Sequence, residues 1–201
     1  GYGVSTFGTR DGGTSTHTHS VTTGYITDTT SGTQTISTQA ATGGAISNSG
    51  SYTIHTFTSS GTFSASIAIS NADILIVGGG GSGSIGKTST YLGSGGGGGQ
   101  VRTFTSQAIS IGDTTVTIAS GGAALANSQL NVNGNAGGTS YFGALSAAGG
   151  QGGRQTDGYG GTNGDGTHTG GAPSGIWVGG GGGAGVNGGS ASNRVSGSGG
   201  N

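Results

Sequence analysis

Apolar and polar positions alternate most clearly in the middle of the chain. Phe63, Ala65, Ile67 and Ile69 are separated by Ser64, Ser66, Ala68 and Ser70. This period of two predicts a strand with one buried face. Ile74, Leu75, Ile76 and Val77 form a continuous apolar run, which predicts a strand buried on both faces. Tyr52 to Thr58 leads into Ser59, Ser60 and Gly61, and the apolar pattern resumes at Phe63, so a hairpin is expected there. Val101 to Thr105, Ile109 to Ile111, Thr114 to Ile118 and Ser128 to Val132 are further short candidates, and Tyr141 to Leu145 another. Short strands divided by Gly and Ser turns predict an all-β fold, a small β-sandwich or jelly roll. The chain has no Glu, a good helix former, and almost no α-helix is expected.

The remaining segments are dominated by glycine. Of 201 residues 53 are Gly, 12 of them within 78–99 and 23 within 149–201. Gly149, Gly152, Gly158, Gly161, Gly164, Gly170, Gly179, Gly182, Gly185 and Gly188 share one phase of a three-residue repeat. Gly80, Gly83, Gly86, Gly95 and Gly98 repeat by three as well. Three residues per turn is the geometry of polyproline-II-like helices, and only Gly fits where such helices crowd together. Collagen needs abundant Pro and this chain has one, so the expectation is a polyglycine-II helix bundle, with a flexible Gly-rich linker as the alternative. Its backbone N–H and C=O groups point sideways to neighbouring helices, with Cα–H to carbonyl contacts in addition. Two regions are expected. Residues 1–50 form a Thr- and Ser-rich extended arm. Residues 51–201 form a glycine-rich domain, with strands in 51–77 and 100–145 and glycine segments at 78–99 and 149–201.

Composition narrows the function classes. Leu, Ile, Val and Phe total 32, too few for an ordinary core of this length. The formal net charge is only −1, so the chain is not a charged disordered tail either. Five basic residues cannot neutralise many phosphates, which argues against nucleic acid as a partner. No apolar run reaches the roughly 18 residues of a membrane span, so no membrane insertion is expected. Cys is absent, and with it disulfides and thiolate metal sites. Position 1 is not Met, so a processed product or a fragment is expected.

The order of these motifs carries a resemblance. Tyr52-Thr-Ile-His-Thr-Phe-Thr-Ser-Ser-Gly-Thr-Phe63 leads into Asp73-Ile-Leu-Ile-Val-Gly-Gly-Gly-Gly81. A second Gly run at 95–99 follows, then Gly138-Thr-Ser-Tyr-Phe-Gly143, Ala147-Ala-Gly-Gly150 and the run 179–183. This series resembles the glycine-rich domain of bacteriophage tail-fibre and other virion proteins, and is similar in style to the adhesins at the tips of T-even-like long tail fibres. The resemblance covers roughly residues 51 to 200. It implies a β-sandwich carrying a polyglycine-II bundle, located on the virion and binding a host surface. The implied partners are a bacterial surface polysaccharide or outer-membrane protein, and other tail-fibre proteins.

Several motifs invite chemistry. Gly81-Ser-Gly-Ser-Ile-Gly-Lys-Thr88 fits G-x-x-x-x-G-K-[ST] after an apolar run, but a phosphate loop must open a helix, and Ser-Thr-Tyr-Leu-Gly-Ser with five Gly cannot form one. Gly78, Gly80 and Gly83 match the dinucleotide spacing and fail for the same reason. With six dispersed Asp and no G-x-S-x-G elbow, no enzyme activity is expected. His17-Thr18-His19 would place two imidazoles on one side of an extended strand. Three chains around an axis would then supply six ligands for a divalent transition metal, as His-x-His pairs do in the fibres this chain resembles, and a homotrimer is expected. His55 reads as a strand residue. Thr-x-Thr pairs recur without a fixed repeat and reflect strand propensity.

Recognition falls to the residues that interrupt the glycine segments, because loops on a rigid scaffold are where binding side chains lie. These are Tyr91, Leu92, Tyr159, His168, Ile176 and Trp177. Tyr and Trp give large contact area at small entropic cost, although a lone Trp is usually packed. The expected function is a tail-fibre distal structural protein with a host receptor-binding role. A structural extracellular or virion filament subunit without a ligand, and an ice-binding protein, are the alternatives.

Overall fold

A computed structural model describes residues 24–27, 35–38, 40–86, 93–126, 131–155, 157–174, 177–192 and 196–201. The chain divides into Gly1–Gln39 and Ala40–Asn201. In the first unit β1 (Gly24–Thr27) and β2 (Thr35–Thr38) pair antiparallel, with Ile26 opposite Ile36. Residues 40–50, read from sequence as the end of the arm, belong to the second unit and carry β3 (Ala41–Thr42) and β4 (Ala45–Ser49).

The second unit is all-β among the described residues, with no α-helix. Its further strands are β5 (Tyr52–Thr56), β6 (Gly61–Ala65), β7 (Ile69–Val77), β8 (Val101–Ile109), β9 (Gly112–Thr117), β10 (Ser140–Phe142) and β11 (Leu145–Ala147). They form a five-stranded antiparallel sheet in the order β11-β10-β9-β6-β3, with two separate ribbons, β4-β5 and β7-β8. The hairpin expected between 52–58 and Phe63 does not form. Instead β5 folds back on β4 through a two-residue loop, Ser49 opposite Tyr52. Gly50, the first loop residue, takes φ +58°, as a II′-type hairpin requires of that position. Strand β6 then pairs with β3 and β9.

The core is small. Ala41, Phe63, Ala65 and Val116 are buried in the sheet, with Phe57, Ile69, Ile109, Ile118 and Phe142 packed against them. The Phe63 and Phe142 rings meet edge-on at 5.5 Å, and His55 meets Phe63 at 5.0 Å. His55 Nδ1 also lies 2.8 Å from the Gly43 carbonyl, so this histidine is a strand residue tied into the fold. The expected alternation holds for Phe63 and Ala65 and stops there, because the strand ends at Ala65 and Ile67 turns outward, 48% exposed. The run at 74–77 is buried on one face only. Ile76 is inside, while Leu75 is 65% and Val77 51% exposed, since a two-stranded ribbon covers one face. A bulge lies in this ribbon. Ser106 adopts φ +54° and its amide donates to Asp73 Oδ1 at 3.1 Å, which satisfies a donor displaced from the ladder.

Beyond the strands the backbone changes period while keeping register. Val77 faces Val101 at the end of the β7-β8 ladder. The same register continues as Gly78 N–H to Gln100 O (2.9 Å), Gly81 to Gly97 (2.8 Å) and Ser84 to Ser94 (2.9 Å), one bond every third residue. The β10-β11 register likewise runs on into Gly137 to Gly150 and Gly134 to Gly153, and the β9-β10 register into Gly138 to Ser120. Three-residue stepping between chains is the signature of threefold polyglycine-II helices. Further segments join in the same way: 158–164, 168–174, 177–183, 186–192 and 196–201. Segment 177–183 bonds to 93–100, 158–164, 168–174, 186–192 and 196–201, and its residues 178–183 are all buried. Neighbours run both parallel, as Gly182 to Gly161, and antiparallel, as Gly180 to Gly189.

This packing changes the meaning of the glycine period. A helix with neighbours on every side needs Gly at all three phases. A Cβ on Gly179, Gly180, Gly181, Gly182 or Gly183 would overlap a neighbouring carbonyl in each case. Conversely Gly80 and Gly98, which mark the period in the first block, have room, because the atoms nearest to a Cβ there lie at ordinary contact distances of 3.5 to 3.7 Å. The apolar core is supplemented by backbone bonds, each contributing about 0.5 to 1.5 kcal/mol net.

The nucleotide motifs lose their chemistry in this arrangement. The amides of Gly79, Gly81, Ser82 and Ser84 already donate to Gly138, Gly97, Asn135 and Ser94, so they form no phosphate cradle. Lys87 and Thr88 lie outside the described residues. Of the candidate strand at 128–132, only Asn131 and Val132 are described, and Val132 makes an isolated bridge to Ile85.

Candidate functional site

The ladders fix where each interruption sits. Segment 78–86 continues β7 and segment 93–100 leads into β8, so Gly78 and Gln100 lie beside the sheet and Ser84 and Ser94 lie away from it. Ser94 Oγ donates to the Arg154 carbonyl at 2.9 Å, and the Arg154 amide donates to the Tyr159 carbonyl at 2.9 Å. Gly95 N–H points to Gly179 O, two residues beyond Trp177. Arg154, Tyr159 and Trp177 therefore share the end of the bundle remote from the sheet. Ser174 and Trp177 close that end with two mutual main-chain bonds, 3.0 and 3.1 Å.

His168 sits elsewhere. It pairs with Asn163, and Gly164 N–H donates to Gly98 O at 3.0 Å, on the sheet side. Four residues at about 3.1 Å each put it roughly 12 Å along the axis from Tyr159. The structure thus brings Tyr159 and Trp177 together at one end and places His168 toward the other. Tyr91, Leu92, Ile176, His17 and His19 lie outside the described residues. Among the described residues no group of three His, Cys, Asp or Glu comes together to hold a metal.

His168 belongs to a closed turn. Its amide donates to Asn163 Oδ1 at 3.1 Å, and Asn163 N–H donates to its carbonyl at 3.0 Å. Within the turn the Thr167 hydroxyl and amide both donate to Asp165. Those bonds, the hydroxyl first, hold the Asp165 carboxyl below its ordinary range, helped by Asn163 and the His168 charge against a small desolvation effect. A depressed carboxylate stabilises the fold above the unfolded value, about 3.9, and loses that contribution as pH falls through the folded value. We expect the Asp165 side-chain carbon to titrate below pH 3.9 by NMR, and Thr167→Val to move it upward. An unchanged midpoint in Thr167→Val would show the hydroxyl has no such role.

The remote end holds residues that the sequence reading passed over. Arg154 pairs with Asp157 and lies 5.9 Å from the centre of the Tyr159 ring. Tyr159 N–H donates to Asp157 Oδ1 at 3.3 Å, and Gln155 N–H to Asn133 Oδ1 at 2.7 Å. Tyr159 is 41% exposed, whereas Trp177 is half-buried beside buried Val178. The signal for Arg154 was its spacing: Gln151 and Arg154, like Tyr159, Thr162 and Asp165, recur every third residue and so share one outward side.

An all-β unit whose strands extend into a glycine-helix bundle, with its side chains gathered on outer sides and ends, is a scaffold of glycine-rich type. Residues 56–201 match the glycine-rich domain family, and the chain belongs to that family. No curated protein and no solved structure matches it.

Proposed function

We propose that this chain is a distal segment of a bacteriophage tail fibre, exposed on the virion, which attaches to a bacterial surface through side chains at the remote end of its glycine bundle. The supporting observation is polarity. The second unit is entered at Ala40, whose carbonyl accepts the Ser66 amide at 2.9 Å beside the terminal pair Ala65 and Gly112, at the strand ends opposite the bundle. The strands then lead into glycine segments, and Tyr159 and Trp177 lie at the far end. Interior glycines offer no side chains, so specificity resides in these interruptions, with Tyr91, Leu92 and Ile176 as the remaining members. The partner is a surface polysaccharide or outer-membrane protein. The N-terminal arm joins other fibre proteins as a homotrimer, with His17 and His19 as candidate ligands for a divalent transition metal. Purified full chain incubated with intact cells of a bacterial strain panel should bind at least one strain saturably. Absence of saturable binding to every strain would remove the attachment reading.

A further inference from the structure

Segments 131–139, 148–154 and 158–164 lie side by side, and their outer side is not bare. Gln151 N–H donates to Thr162 O at 2.8 Å and Arg154 N–H to Tyr159 O at 2.9 Å, which sets Gln151 beside Thr162 and Arg154 beside Tyr159. Asn133 stands on the other flank. Between them runs a groove of about 330 Å³ lined by Asn133, Gln151, Arg154 and Thr162 over a glycine floor that includes Gly152. That volume lies at the small end of the range for ligand sites.

Three features define what fits. First, the Gln151 side-chain amide, the Thr162 hydroxyl and the main-chain N–H and C=O of Gly152 bond to nothing among the described residues. Unpaired donors and acceptors thus stand together over the glycine floor. Second, Arg154 is paired with Asp157, so the groove carries no uncompensated charge for an anion. A planar amide, a hydroxyl and a charge-paired guanidinium lining one groove match adjacent hydroxyls, which both donate and accept. Third, the Tyr159 ring, 5.9 Å from the Arg154 guanidinium that lines the groove, offers an apolar face nearby. We propose that this groove binds a neutral saccharide of one or two rings. The inference deepens the attachment reading, since Arg154 and Tyr159 belong to the remote end, and it is tested without cells, so that its failure and the failure of attachment are distinguishable.

The test is an amide NMR titration of the isotope-labelled full chain with maltotriose, mannotriose, galactotriose and chitotriose, with trigalacturonic acid as the charged comparison. At about 10 mM sugar a millimolar Kd gives near saturation. At least one neutral sugar should shift Gly134, Gly152 and Thr162 saturably while leaving Phe63 and Val116 in place. Gln151→Ala and Thr162→Ala should each weaken that binding about fivefold, the loss of one hydrogen bond, with the remaining spectrum confirming the fold. No shift at these amides with any neutral sugar, shifts only with the acidic one, or shifts unaffected by both substitutions would overturn the proposal.

Discussion

Gly97→Ala should lower the stability of the glycine-rich unit by about 3 kcal/mol, while Gly98→Ala, one residue on, should raise it by about 0.4 to 1 kcal/mol. A Cβ on Gly97 would collide with the Thr162 carbonyl and lie 3.0 Å from Asn163 N, both backbone atoms that cannot rotate away. On Gly98 the nearest atoms are the Gly183 Cα at 3.5 Å and the Gly182 oxygen at 3.6 Å, ordinary contact distances. Neither residue has a positive φ, so Ala strains neither backbone. What remains at 98 is the reduced freedom of the unfolded chain, which favours folding. For a unit of this size the Gly97 effect is a fall of about 6 to 12 °C in Tm. Thermal unfolding of the two variants decides the point. Equal shifts would mean that the segments are not packed as threefold helices.

Truncation at the remote end should act on attachment and not on folding. Tyr159→Ala should weaken attachment by about 1 to 4 kcal/mol, roughly five- to several-hundred-fold, at unchanged Tm. The Tyr159 ring is substantially exposed, and its main-chain bonds to Arg154 and Asp157 survive the substitution. His168→Ala is now the informative contrast. Grouped with Tyr159 by sequence, it lies toward the sheet in a turn, with its imidazole Nδ1 3.2 Å from Asn163 Nδ2 and 2.9 Å from Thr167 Oγ1, so loss of the ring should perturb that turn and spare attachment. Thr27→Ala and Thr35→Ala in the arm should change neither quantity. Trp177 serves less well, because its removal also costs packing next to Val178. Attachment lost in His168→Ala but retained in Tyr159→Ala would place the binding surface at the sheet-side end.

Much of the architecture was legible in residue order. Alternation at Phe63 and Ala65 marked a one-sided strand, and the absence of Glu with so much Gly and Thr marked a chain with almost no α-helix, and none occurs among the described residues. The partner of β5 was not legible, because Ser59-Ser60-Gly61 and Gly50-Ser51 are equally good turns and only the three-dimensional sheet selects between them. The glycine period pointed to threefold helices but misassigned the crowding. A repeat marks a helix with one packed side, whereas the enclosed stretch 179–183 has Gly at every position, where no period can show. Arg154, Gln151 and Thr162 escaped notice because polar residues between glycines look like linker until each third one is seen to share a side.

The register handed from strands to glycine segments bears on how such proteins diversify. Glycine repeats carry no side chains to specify their own alignment, and a slip of three residues would restore the same bonds. The sheet supplies the alignment, with Val77 opposite Val101 and Ser140 opposite Ala147 as its last fixed pairs before the glycine begins. Lengthening two paired segments by three residues each therefore adds one turn, about 9 Å, and leaves every existing pair in place. A lineage can vary how far its tip projects, and which loops it exposes there, without revising the part of the chain that folds by side-chain packing.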